Sequence, residues 1–242
     1  MRHASAKSEV GRFASVSPSA GTRPDAAMLV DLDELLSAYR REPQGPVSFG
    51  TSGHRGTSLK GTFTEAHVLA ISEAIARHRK AEGIAGPLFV ARDTHALSAP
   101  AFHTALSVFS AHGIDIRVDA DNGYTPTPAL SHAILTHPGS DGIVLTPSHN
   151  PPEDGGYKYN PPSGGPAPTD VTKRIEDEAN RLLHTRIETA EERTTPHDYV
   201  DAYVKDLPNV IDIEAIRKAG VRIGADPLGG ASVAYFQAIA EI

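Results

Sequence analysis

The sequence contains no cysteine, which excludes a disulfide framework, a thiolate metal site and a cysteine nucleophile. It also lacks an excess of positive charge, since 23 Lys and Arg stand against 30 Asp and Glu for a formal net charge of -7. Non-specific nucleic-acid binders need a basic surface to displace counterions from phosphates. No nucleic-acid partner is therefore expected, and any phosphorylated ligand must be held by local charge. No apolar run approaches the roughly 20 residues of a membrane-spanning helix, and the polar N-terminal stretch lacks the apolar centre of a signal peptide. The expectation is a soluble, cytoplasmic chain with no membrane partner. The 12 histidines include no His-x-x-x-His pair enclosing a glutamate, so a histidine zinc site is not expected.

What is present is ordinary for a globular protein: 39% hydrophobic and 22% charged residues in 242 positions, enough for a sizeable core. Residues 1–27 are rich in Ser, Ala, Gly and Arg without apolar periodicity and read as a disordered tail. An amphipathic stretch from Leu29 to Tyr39 follows. From Val47 onward β-branched runs alternate with helical patterns, which predicts an α/β fold. Thr62 and Glu65 have the spacing of a capping box for a helix that stops at Gly83. Strands are predicted at Leu88–Ala91, Ile114–Val118 and Gly142–Leu145, with helices between them from Ser98 to Gly113 and from Pro128 to Thr136. The proline-rich segment Thr146–Pro168 is predicted as one long loop, and Thr169 opens a charged helix to about Leu183. Two more helical patterns lead to Gly220, and a strand is predicted at Val221–Ala225. The last helical pattern, Val233, Phe236 and Ile239, runs to Ile242 without a cap, so the expectation is a C-terminally truncated chain. The domains expected are 1–27 tail, 28–206 first domain and 207–242 the start of an incomplete second.

The chemistry concentrates in Thr146-Pro147-Ser148-His149-Asn150-Pro151, which places a hydroxyl nucleophile directly after a buried strand, where open α/β sheets bind ligands. Pro147, Pro151 and Pro152 restrict the backbone around Ser148, and Gly155 and Gly156 allow it to turn. Phosphoryl transfer asks for positioning and positive charge around the transferring oxygens; His149, Lys158 and Arg55 are the residue types that supply it. A serine-hydrolase triad is poorly supported, because Ser148 and His149 are adjacent and no Gly-x-Ser-x-Gly elbow surrounds the serine. A turn-forming surface loop is the plainer reading of the tripeptide alone.

This segment resembles the phosphoserine loop of the α-D-phosphohexomutases, which interconvert 1-phospho and 6-phospho sugars. Phe49-Gly50-Thr51-Ser52-Gly53-His54-Arg55-Gly56, Asp93-Thr94-His95-Ala96-Leu97-Ser98 and Asn122-Gly123-Tyr124-Thr125-Pro126-Thr127-Pro128 resemble its bacterial glucose-phosphate-specific branch in order and spacing. The likeness runs from about residue 28 to residue 242. It implies domain I of that fold, a mixed sheet between helix layers, followed by the start of a second α/β domain. It implies that Ser148 is phosphorylated and passes its phosphoryl group through glucose 1,6-bisphosphate, with His149, Asn150 and Lys158 flanking it. Arg55, Thr51 and Ser52 fall on substrate-side positions. His95 stands where many members of the wider superfamily carry arginine, and Asp93 and His95 read as structural.

The resemblance also implies a Mg²⁺ ion, bound through the Ser148 phosphate and an Asp-x-Asp-x-Asp loop that this sequence does not contain. The partners implied are a phosphorylated hexose and the missing C-terminal domains, and negligible turnover is expected of the 242 residues alone. The alternatives are a phosphomannomutase or another phosphohexomutase, or a noncatalytic truncated domain that binds a phosphosugar.

Overall fold

The computed structural model describes residues 21–50 and 53–242. Residues 1–20 of the expected tail, and Thr51 and Ser52, lie outside the described residues. The chain divides into two units, Met1–Asp31 and Leu32–Ile242. In the described part of the first, Asp25 caps a 3-10 turn at Ala26–Met28 by accepting from the Ala27 and Met28 amides at 3.0 and 3.2 Å.

The second unit alternates helices and strands in the order α1 Leu32–Ala38, β1 Phe49–Gly50, β2 Gly53–Thr57, α2 Glu65–Glu82, β3 Leu88–Arg92, α3 Ser98–Ala111, β4 Ile116–Asp119, α4 Thr127–Thr136 and β5 Asp141–Leu145. It continues with β6 Asp154–Asn160, α5 Thr169–Leu182, β7 Thr195–His197, α6 Tyr199–Val210, α7 Ile213–Lys218 and α8 Val233–Ala240. Among the described residues the strands form one seven-stranded sheet in the order β1-β2-β6-β5-β3-β4-β7. β5, β3, β4 and β7 run parallel, while β6, β2 and β1 add an antiparallel flank.

β3 and β5 are buried along their whole length, as central parallel strands covered on both faces must be. Alternation along β3 sends Phe89 and Ala91 to one face, where they join Val144, Leu130 of α4, Tyr199 of α6 and Tyr235 of α8 in one apolar cluster. On the other side α2 packs against α3 and α5. Tyr157 of β6 reaches that layer with its hydroxyl 2.9 Å from Ser72 of α2. Deep in the unit the Arg79 guanidinium pairs with Asp141, whose second oxygen accepts from the Tyr159 hydroxyl at 2.8 Å.

Three local expectations change. The cap of α2 is Thr64 with His67 at the third position, the Thr64 amide donating to His67 Nδ1 at 3.2 Å. Thr62 is not free to cap, because its hydroxyl accepts from the Thr57 amide at 3.0 Å and donates to the Thr57 carbonyl at 3.2 Å, closing the turn after β2. The predicted loop 146–168 contains β6, whose Gly-Tyr-Lys-Tyr-Asn alternation has a strand's period of two and finds partners on both sides, β5 and β2. Val221–Ala225 is not a strand: Val221 and Ile223 are exposed, and no ladder there satisfies the backbone.

Candidate active site

The register of β2 against β6 builds one wall of the site. His54 pairs with Tyr157 and Arg55 with Gly156, so His54 and Tyr157 share one face and Arg55 and Lys158 project on the other. Glycine at 156 is required by close approach, since a Cβ there would sit 2.2 Å from the Thr146 carbonyl oxygen. The loop leaving β5 therefore lies directly over this face, and the Thr146 amide donates to the Gly156 carbonyl at 2.9 Å.

Ser148 follows on that loop with φ of 68°, a left-handed conformation that a side-chain-bearing residue adopts only when its surroundings hold it there. Its Oγ accepts from Lys158 Nζ at 2.6 Å and from the Arg55 guanidinium at 3.1 Å. Arg55 also donates to Asn150 Oδ1 at 3.2 Å, and Asn150 Nδ2 donates to Asp154 at 2.9 Å. Burial, then the neighbouring Arg55, lowers Lys158 below the usual lysine value, with Asp93 opposing. A hydroxyl held by two cations, one of them easier to deprotonate than an ordinary lysine, suits a group that exchanges a phosphoryl group and a proton.

A second set of bonds holds the loop from the other side. The Ser148 amide donates to Thr146 Oγ1 at 2.9 Å, and the Thr146 hydroxyl donates to Asp93 Oδ2. Asp93 sits just past the end of β3, the parallel neighbour of β5, and also accepts from Ser98 at 2.6 Å and from the His95 ring at 2.8 Å. Burial works to raise Asp93, but the bonds from His95, Ser98 and Thr146 together hold it below its usual range. The adjacent turn is fixed by Arg92, which donates to the Asn122 carbonyl at 2.7 Å and lies 4.9 Å from the Phe102 ring centroid.

These elements enclose a cleft of about 390 Å³ lined by Ser148, His149, His95, Thr125 and Thr127, together with Leu228 and Gly230. Of the site residues read from the sequence, Ser148, Lys158, Arg55 and Asn150 meet through direct bonds, and exposed His149 lines the cleft. Thr51 and Ser52 lie outside the described residues. Thr146 and Ser98 escaped the sequence reading as supports of the loop. Their signal was position, each following the C-terminal end of one of two predicted strands. Among the described residues no three His, Asp or Glu side chains converge as a metal site. Asp93, the carboxylate in the cleft, is already committed to Thr146, Ser98 and His95, so these side chains do not make a magnesium site.

Residues 46–186 match a family described as phosphoglucomutase/phosphomannomutase, alpha/beta/alpha domain I. A phosphoglucomutase of Komagataeibacter xylinus is 52% identical over 249 residues, covering 94% of this chain and 45% of that protein. A phosphoglucosamine mutase of Methylobacillus flagellatus is 31% identical, covering 76% of this chain and 41% of that protein. The solved open form of pp63/parafusin, a Paramecium phosphoglucomutase, superposes with a TM-score of 0.67 at 23% identity over 83% of this chain and 42% of its own, a likeness of fold alone. The chain thus spans less than half the length of these relatives. It belongs to the phosphoglucomutase/phosphomannomutase family, and residues 46–186 are its α/β/α domain I.

Proposed function

We propose that this chain is the phosphoserine-bearing part of a phosphoglucomutase, and that Ser148 carries the phosphoryl group between the 1 and 6 positions of glucose. The observation that carries the reading is Ser148 Oγ, on the lining of the cleft, held by Lys158 at 2.6 Å and Arg55 at 3.1 Å. In the first transfer the bond from Ser148 Oγ to phosphorus breaks and a sugar hydroxyl oxygen takes the phosphorus. The proton that hydroxyl releases reaches Ser148 Oγ through Lys158. The product, glucose 1,6-bisphosphate, turns round and returns its other phosphoryl group to Ser148, with the proton moving the opposite way. Arg55 and Lys158 lie where charge develops on the oxygens, which is the main demand of phosphoryl transfer.

A Mg²⁺ ion, if this reading holds, would be held in part by a phosphate on Ser148 and would neutralise charge on the transferring oxygens. Turnover also needs groups that position the sugar and its remote phosphate, so the 242 residues alone are expected to turn over negligibly.

Glucose is preferred over other hexoses because the relative that is 52% identical is a phosphoglucomutase. The full-length protein carrying this chain should gain one phosphate at Ser148, seen by intact mass and site mapping after glucose 1,6-bisphosphate, and Ser148→Ala should lose both label and activity. A label-free Ser148 with activity surviving the substitution would overturn the reading. Faster conversion of mannose or glucosamine 1-phosphate than of glucose 1-phosphate would reassign the sugar.

A further inference from the structure

Both ring nitrogens of His95 face oxygen atoms that only accept. Nδ1 lies 2.8 Å from the carboxylate oxygen Asp93 Oδ2, and Nε2 lies 3.1 Å from the backbone carbonyl of Asn150. A neutral imidazole carries one N–H and can make only one of these bonds; the imidazolium makes both. The same Asp93 oxygen accepts from Thr146, whose hydroxyl in turn accepts from the Ser148 amide. The bonds form a ring running from Ser148 to Thr146, Asp93, His95 and Asn150, and the ring brackets the left-handed residue on both sides.

We propose that His95, held as an imidazolium between Asp93 and the Asn150 carbonyl, is a positioning residue that keeps Ser148 in its left-handed conformation and its Oγ aimed between Lys158 and Arg55. This rests on the phosphoserine reading and adds a control to the same site. His95 acts through the backbone, at Asn150, while Asn150 Oδ1 accepts from Arg55. Loss of one His95 proton therefore releases one anchor of the loop and slackens the residue that Arg55 grips.

The hydrogen bond to Asp93 raises His95 above its ordinary value, burial opposes, and the Asn150 carbonyl and the charge of Asp154 on β6 add to the rise. Other titratable or charged groups around the loop are His149 on the cleft, and Lys158 and Arg55 on Ser148. The clamp is therefore complete below about pH 6.5, the ordinary histidine value, and is lost as pH rises through the raised value of His95.

Two measurements decide the proposal. Imidazole nitrogen–proton correlation spectra of this chain, with His95 assigned through His95→Gln, should show two ring N–H groups at neutral pH and a midpoint above those of the exposed histidines, lowered in Asp93→Asn. Single-turnover phosphorylation of Ser148 by glucose 1,6-bisphosphate in the full-length protein should slow about 10- to 100-fold in His95→Gln at neutral pH, the scale of an ångström-level misplacement. His95→Arg, which presents several N–H donors and does not deprotonate, should restore most of the rate and remove the alkaline fall assigned to residue 95. A residue that only supported the fold would show no such rescue tied to pH. One ring N–H at neutral pH, or a folded His95→Gln protein with the wild-type rate and pH profile, overturns the proposal. If wild-type Ser148 takes up no phosphoryl group, the mutase reading falls, and the spectra still decide whether the clamp exists.

Discussion

Lys158 Nζ and Ser148 Oγ lie 2.6 Å apart although ten residues separate them, because β6 folds back antiparallel on β5 and returns Lys158 beneath the loop that carries the serine. Removing this donor by Lys158→Met should lower kcat by about 10²–10³-fold, the usual effect of deleting one preorganised donor at a developing negative charge. KM should change little. Steady-state kinetics on the full-length protein check this, and a near-normal kcat would remove Lys158 from the chemistry.

The same lysine sets an alkaline limit. Burial and Arg55 lower its value from 10.5, so the ammonium form disappears at a lower pH than for an exposed lysine. The kcat profile should fall with a midpoint below 10.5. In Lys158→Arg whatever rate survives should lack that limb, since a guanidinium stays charged.

Ser148 holds φ of 68°, a region that costs a residue with a Cβ roughly 1 kcal/mol or more relative to glycine. Ser148→Gly and Ser148→Ala should both be inactive, yet the glycine variant should be the more stable by about 1 kcal/mol. Urea unfolding of the two variants measures the difference, and equal midpoints would mean that the loop relaxes out of the left-handed region.

At Gly156 an added methyl would stand 2.2 Å from the Thr146 carbonyl oxygen. Gly156→Ala should displace the loop after β5, costing about 1–3 kcal/mol in stability by overpacking and most of the phosphorylation of Ser148. Full phosphorylation in that variant would show that β6 can move away without disturbing the site.

Acid should act through a pair of buried histidines behind Arg55. His54 and His67 stack with ring centroids 5.1 Å apart, and His54 Nδ1 accepts from the Ser48 amide at 3.1 Å. Burial, then His67, pushes His54 down to about 4, and burial also lowers His67. Both are neutral in the folded protein and take up protons more readily when it unfolds. Their contribution is complete above about pH 6.5, the ordinary histidine value, and is lost as pH falls from there toward 4. The urea midpoint should drop across that window, and His54→Leu should flatten the drop whatever it does to stability at neutral pH.

Several features of the site were legible in the chain itself. The buried run ending at Leu145, the Pro147 that stops it and the Ser148 hydroxyl directly after it place a candidate nucleophile just past the end of a buried strand. Gly83 stops α2 as expected, with φ of 67°, and the alternation of strands and helices announces an α/β fold, whose sheet between helix layers the family resemblance implies. The placement of α2's cap was not legible, because Thr62 and Thr64 are both competent caps and only the turn after β2 engages one of them. β6 was hidden because its own glycines and the prolines on both sides read as loop, while the short Gly-Tyr-Lys-Tyr-Asn alternation becomes a strand only when partners are present.

What the amino-acid order determined was chemistry and local form: a serine hydroxyl on a proline-rich loop, cationic residues in the right motifs, and a succession of elements that closes as α/β. Tertiary structure alone decided which groups reach Ser148. Arg55 comes from 93 residues earlier through the pairing of β2 with β6, and Asp93 and His95 reach the loop because β3 lies beside β5. Periodicity carries information over one or two turns of chain, whereas strand register is set by the packing of distant faces against one another. The charge around Ser148 is a consequence of that register.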